Sequence, residues 1–180
     1  MLDRLVDLFL QFIKLFQFWV VIPPYRAGVR LRLGNFHAVL KNGFHFMIPF
    51  GVDDTLEDNV VIETMRVKPQ SLTTKDGVSV VLSSVVTFTV EDIKTFLLEV
   101  EGRNNVVEDS SYGATADFIM KHSWAELTAF DNLGNELSKE VRKQAKRYGV
   151  RIVSVQLADF AKCPSIRLIS QDPKAHLFGV

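Results

Sequence analysis

The sequence predicts an α+β fold in which an N-terminal membrane helix leads into a head of antiparallel sheets and helices. Three observations carry this. Residues 8–25, LFLQFIKLFQFWVVIPPY, are almost wholly apolar. From Gly28 onward, hydrophobic residues recur at every second position, the period of a half-buried strand. From Ile93 to Tyr148 they recur every three or four positions, as on a helix, and an alternating run returns at Val150.

The first element is a helix over residues 2–22. It places Asp3, Asp7, Gln11 and Lys14 on one stripe flanked by Arg4 and Gln17, and leaves an apolar surface carrying Leu5, Phe9, Phe12, Phe16 and Trp19. Such a helix is about 30 Å long, the hydrocarbon thickness of a bilayer. Pro23-Pro24 stops it, because proline lacks the N–H and restricts the residue before it. Lys14 at mid-span costs about 2.5–3.5 kcal/mol on insertion scales. The cost falls if Lys14 snorkels or if the stripe faces neighbouring copies. An interfacial helix turns the same stripe to water, and so does a soluble amphipathic helix, the competing reading, whose apolar face is usually narrower than this one. Trp19 and Tyr25 suit the membrane–water boundary. A cleaved signal peptide does not fit, since Lys14 interrupts the apolar run and no small-residue cleavage site follows.

The head follows in order. In GVRLRLGNF, Val29, Leu31 and Leu33 alternate with Arg30 and Arg32. Asn42-Gly43 is a two-residue hairpin signal. After it, Phe44, Phe46 and Ile48 share one face, with His45 and Met47 on the other. A long hairpin turns at Asp76-Gly77, and its second arm puts Val80, Leu82, Val86 and Phe88 on one covered face. Ile93, Phe96, Leu97 and Val100 mark a short helix, and a longer one runs from Asn105 to His122. Ser123 and Glu126 have capping-box spacing. Leu133, Leu137, Val141, Ala145 and Tyr148 line a further helix, with Gly149 at its C-cap.

Composition narrows the function. Lys+Arg and Asp+Glu are 21 each, a balance that argues against a nucleic-acid binder. A single cysteine, Cys163, excludes an internal disulfide framework. His37, His45, His122 and His176 match no metal-ligand spacing. Ser79, Ser83 and Ser84 lack a nucleophile elbow, and the scattered glycines form no phosphate cradle. No enzyme, metal or cofactor is expected. Arg30 and Arg32, just behind the anchor, are placed to touch anionic headgroups, worth up to about 1 kcal/mol each. Arg142, Lys143, Lys146 and Arg147 form a basic helix face. Its readings are an ordinary solvated surface, a contact for acidic loops of an adjacent copy, or a headgroup contact.

The segments PPYRAGVRLRLGNFHAVLKNGFHFMIPF, VKPQSLTTKDGVSVVLSSVVTFTVED and RYGVRIVSVQLADF together resemble the stomatin/prohibitin/flotillin (SPFH, band-7) family over about residues 20–166. The carriers are G-F-H-F-x-x-P from Gly43 to Pro49, T-K-D-G-V from Thr74 to Val78, and the strand from Gly149 to Asp159. The resemblance implies an anchor at 1–22, two small α/β subdomains with antiparallel sheets at 23–68 and 69–166, and a short tail at 167–180. It further implies a non-enzymatic scaffold at the membrane, with the folded head on one side. Such scaffolds assemble laterally with their own copies into rings or cages that organise lipid and regulate an embedded protease or channel. The alternative is a small membrane-bound adaptor or inhibitor of one partner. Two features depart from the family pattern. The tail carries Pro173 and no sustained heptad, so no coiled-coil wall is expected, and Lys41-Asn42 stands where a Gly-Pro pair is common.

Overall fold

The computed structural model describes residues 18–163. β1 (Trp19–Ile22) and β4 (Gly43–Phe46) pair into a two-stranded ribbon. β2 (Arg26–Arg32) is the centre of a three-stranded sheet, between β3 (Asn35–Leu40) and β5 (Asp53–Asn59). β6 (Glu63–Thr73), β7 (Ser79–Val90) and β8 (Val150–Lys162) form a second three-stranded sheet in that order. Between β7 and β8 run α1 (Ile93–Leu98), α2 (Arg103–Lys121), α3 (Trp124–Ala129) and α4 (Leu133–Ala145), the last tightening into a 3₁₀ turn at Lys146–Tyr148. Every strand pair is antiparallel, and the helices form one crossover, as the change of period predicts.

The core sits between the β6-β7-β8 sheet and the helices. Val80, Leu82, Val86 and Phe88 of β7 point into it at alternate positions, with Ile152 and Val155 of β8. Leu137, Val141 and Ala145 of α4 and Val107, Phe118 and Ile119 of α2 close it from above. Val29 of β2 joins the same cluster, so the first sheet packs onto the second body of the fold.

Local chemistry fixes the joints. The T-K-D-G motif is a clasp: the Asp76 carboxylate accepts from the Trp124 backbone N–H at 3.1 and 3.2 Å and from the Thr74 hydroxyl. Lys75 N–H also donates to His122 O at 3.0 Å, so the tip of the β6–β7 hairpin is bound to the start of α3. Ser123 and Glu126 make the capping box that the sequence predicts. Gly149 has a φ of 75°, and its carbonyl accepts from Glu91 and Asp92 N–H at 2.9 and 3.0 Å, which seats the end of α4 against the start of α1. A Cβ at Gly149 would run into Asp92 O. α4 also guards the outer edge of β8. Ser138 Oγ accepts from Val155 N–H at 2.8 Å, and Arg142 donates to Ile152 O and Val153 O at 3.1 and 3.3 Å.

Two expectations are corrected. The helix over residues 2–22 does not reach Ile22. Trp19–Ile22 is a strand in register with Phe46–Gly43, and residues 1–17 lie outside the described residues. Aromatic and β-branched residues suit a pleated pairing, and Ile22 is buried by it, with 1% exposure. Among the described residues no helix is long and apolar enough to cross a membrane. The Asn42-Gly43 hairpin is also absent: β3 pairs with β2, whereas β4 crosses to β1. A tight hairpin of that type needs positive φ at both central residues, and only Gly43 has it, at 128°. The two-residue hairpin forms instead at Leu33-Gly34, with φ of 50° and 81°.

A buried carboxylate ties the ribbon to the first sheet. Asp53, whose side chain has no exposure, accepts from Arg32 at 2.7 and 3.2 Å and from Ile48 N–H at 2.9 Å. Arg30 lies 4.0 Å from it and donates to Phe46 O at 2.7 Å. The hydrogen bond from Arg32 holds the Asp53 carboxyl at about 2, below its ordinary 3.8. Asp53→Asn should therefore lower stability in detergent by about 1–3 kcal/mol in urea unfolding. A depressed carboxylate stabilises above its unfolded-state value and loses that contribution as the pH falls through the folded one. The difference between wild type and variant should be complete above about pH 4 and shrink towards pH 2; a constant difference across that range would refute the assignment.

Candidate membrane-facing surface

The ribbon places apolar side chains in cross-strand pairs on one face. Trp19 stands opposite Phe46 and Val21 opposite Phe44. Residues two apart on a strand share a face, so these four side chains form one patch. The alternate residues turn inward: Ile22 is buried, and Val20 and His45 are half-buried. The outward four are exposed, Phe44 by 56% and Phe46 by 70%, and the two rings meet edge to face at 5.0 Å. Exposed rings forgo the burial that usually rewards folding, so this face is suited to a partner surface.

The patch continues into neighbouring turns. Phe18 is exposed and packs edge to face on Trp19 at 4.6 Å, while its carbonyl accepts from Met47 N–H at 2.9 Å. Ile48 and Phe50 are exposed in the β4–β5 turn. Phe50 has a φ of 65°, a left-handed backbone rare for an aromatic residue. Leu33, exposed at the β2–β3 turn, donates its N–H to Val52 O at 2.8 Å and so stands beside that loop. His45 Nε2 lies 2.7 Å from Lys41 O and secures the crossing from β3 to β4. A contiguous exposed apolar area of this kind marks a surface that meets lipid or protein rather than water.

The structure sorts the residues singled out in the sequence. Leu5, Phe9, Phe12, Lys14 and Phe16 lie outside the described residues. Trp19 belongs to the patch, and Tyr25 is exposed at the turn after β1 with Arg26 5.6 Å from its ring centroid. Arg30 and Arg32 are engaged with Phe46 O and Asp53. Arg142 is spent on the β8 edge, Lys143 lies 3.9 Å from Glu140, and Arg147 covers the Tyr148 ring at 5.0 Å. With Lys146 they occupy α4 and its 3₁₀ turn, elements that pack on α2 and β8 rather than on the ribbon. Phe44, Phe46, Ile48 and Phe50 complete the patch. The alternation of GFHFMIPF groups the first three of them, but it leaves open which face is wet.

Comparison with known proteins agrees with this architecture. An uncharacterized protein of Methanocaldococcus jannaschii is 26% identical over 141 residues, covering 78% of this chain and 70% of its own length. An uncharacterized protein of Archaeoglobus fulgidus is 26% identical over 144 residues, covering 77% of this chain and 56% of its own. One from Methanothermobacter thermautotrophicus is 21% identical over 161 residues, covering 87% and 49%. The matched part of the chain thus spans between 49% and 70% of the length of these relatives. A family model described as SPFH domain / Band 7 family matches residues 20–175, from β1 past the end of β8, and the chain belongs to that family.

Proposed function

We propose that this protein is a non-enzymatic membrane-anchored scaffold whose heads stand side by side on one face of a bilayer. The observation that carries the reading is the outward-turned apolar face of the β1–β4 ribbon, whose first strand is the end of the apolar segment. In this reading residues 1–17 supply the anchor and the ribbon lies in the interface. Each aromatic ring moved from water into the acyl boundary contributes about 1–2 kcal/mol at partial burial. That is marginal for a single head. Copies held together multiply it, because each further contact becomes intramolecular.

Lateral assembly rests on membership of the SPFH family. Regulation of an embedded protease or channel is the function such an assembly would serve. Lys146 and Arg147 at the end of α4, and the acidic strand β5 with Asp54 and Asp58, offer charges of opposite sign for contact between heads.

Two outcomes are expected. In a Trp124→Phe background, Trp19 fluorescence should be quenched by spin-labelled lipids placed shallowly in vesicles. Phe44→Ser with Phe46→Ser should weaken both this quenching and vesicle partitioning by roughly tenfold or more. Trp19 fully open to aqueous iodide on vesicles would exclude the ribbon from the interface. Detergent-extracted protein should sediment as a particle many times the 20.4 kDa chain. A monodisperse monomer would refute lateral assembly, and a stoichiometric complex with one membrane protein would favour the adaptor.

A further inference from the structure

A second feature lies away from the ribbon, at the seam where the first sheet meets the second body of the fold. The chain crosses this seam at residues 60–62. Val60 is held from both sides, its N–H donating to Tyr25 O at 3.0 Å and its carbonyl accepting from Thr89 Oγ1 at 2.8 Å. Beside it opens a cavity of about 240 Å³. Its floor is apolar, formed by Met65, Phe88, Val90, Phe96 and Val107, of which Phe88, Phe96 and Val107 are buried. Native interiors leave few voids larger than a water molecule. A cavity of roughly 150 Å³ already accepts benzene. This one is larger, and it opens to solvent.

The mouth differs from the floor. Asp58 and Glu63 bring two carboxylates, and Arg103 brings a guanidinium. Each is oriented by one hydrogen bond: Asn59 N–H to Asp58 at 2.8 Å, Asn59 Nδ2 to Glu63 at 3.2 Å, and Arg103 Nη1 to Leu97 O at 3.2 Å. Side chains of both charge signs therefore line one apolar cavity, with no ion pair between Arg103 and either carboxylate among the described residues.

We propose that this cavity binds a small zwitterion of the α-amino-acid type with an apolar side chain. The ammonium has three N–H donors suited to Asp58 and Glu63, the planar fork of Arg103 suits a carboxylate, and the side chain fills the floor. Such a ligand touches both bodies of the fold and ties them together. The proposal does not depend on the membrane reading.

The test uses the full chain in detergent and titration calorimetry with L-leucine, L-methionine, leucinamide and N-acetyl-leucine. Saturable binding of leucine or methionine is expected. Removal of either ligand charge should weaken it roughly tenfold to hundredfold. Arg103→Gln should abolish the preference for leucine over leucinamide, and Glu63→Gln the preference over N-acetyl-leucine. Should Arg103→Gln unfold, the ligand series on wild type decides alone. Absence of saturable binding up to about 10 mM, or equal affinity for leucine and leucinamide, overturns the proposal.

Discussion

The ribbon depends on Asp53. A two-stranded sheet is marginal in water, and this one spends its apolar face outward, so its own side chains cannot hold it in place. The buried carboxylate compensates. It fixes Ile48 N–H in the turn after β4, clamps Arg32 from β2, and lies beside Arg30, which reaches Phe46 O. Burial of Ile22 on the inner face of β1 completes the attachment. A charge taken from water is costly unless it is paired and hydrogen-bonded, and here both conditions are met. The polar network lets the greasy surface exist without collapsing onto the core.

The other end of the fold is fixed by different means. The β6-β7-β8 sheet and its helices hold the large apolar core, and the Thr74-Asp76 clasp joins the hairpin tip to α3. Trp124 then stacks on Phe160 at 5.3 Å, with Lys162 4.8 Å from its ring centroid. The T-K-D-G-V element is thus a structural joint: Thr74 and Asp76 hold two segments together, Gly77 provides the positive φ, and Val78 begins the return. The fold divides its labour. Packing stabilises the helical side, while hydrogen bonds present the apolar side.

Sequence patterning revealed some of this and concealed the rest for physical reasons. β7 was legible because its burial alternates at period two along the strand. α4 was legible because Leu133, Leu137, Val141 and Ala145 fall on one side and are all buried. β1 was hidden: four apolar residues continue an apolar run, and period cannot distinguish a short strand from the end of a helix. Leu33 gave no turn signal, since leucine seldom takes a left-handed backbone, whereas Asn42-Gly43 gave a strong one that the chain did not use. For the surface, alternation grouped Phe44, Phe46 and Ile48, but only the register with β1 and the contacts beneath it decide the exposed side. Arg30 and Arg32 look available in sequence because the carboxylate that engages them, Asp53, is 21 residues beyond Arg32.

The guarding of strand edges has a consequence for life on a crowded surface. On the reading proposed above, heads held at a bilayer would meet at high effective concentration, where bare strand edges would fuse into continuous sheets. β6 carries Pro69, Lys68 and an irregular register between Val67 and Gln70, and α4 shields the first half of β8. Along β6 and the first half of β8, backbone pairing between neighbours is thereby disfavoured. Side-chain contacts part more readily than paired strands, so an assembly of heads of the proposed kind would be open to remodelling without unfolding its members.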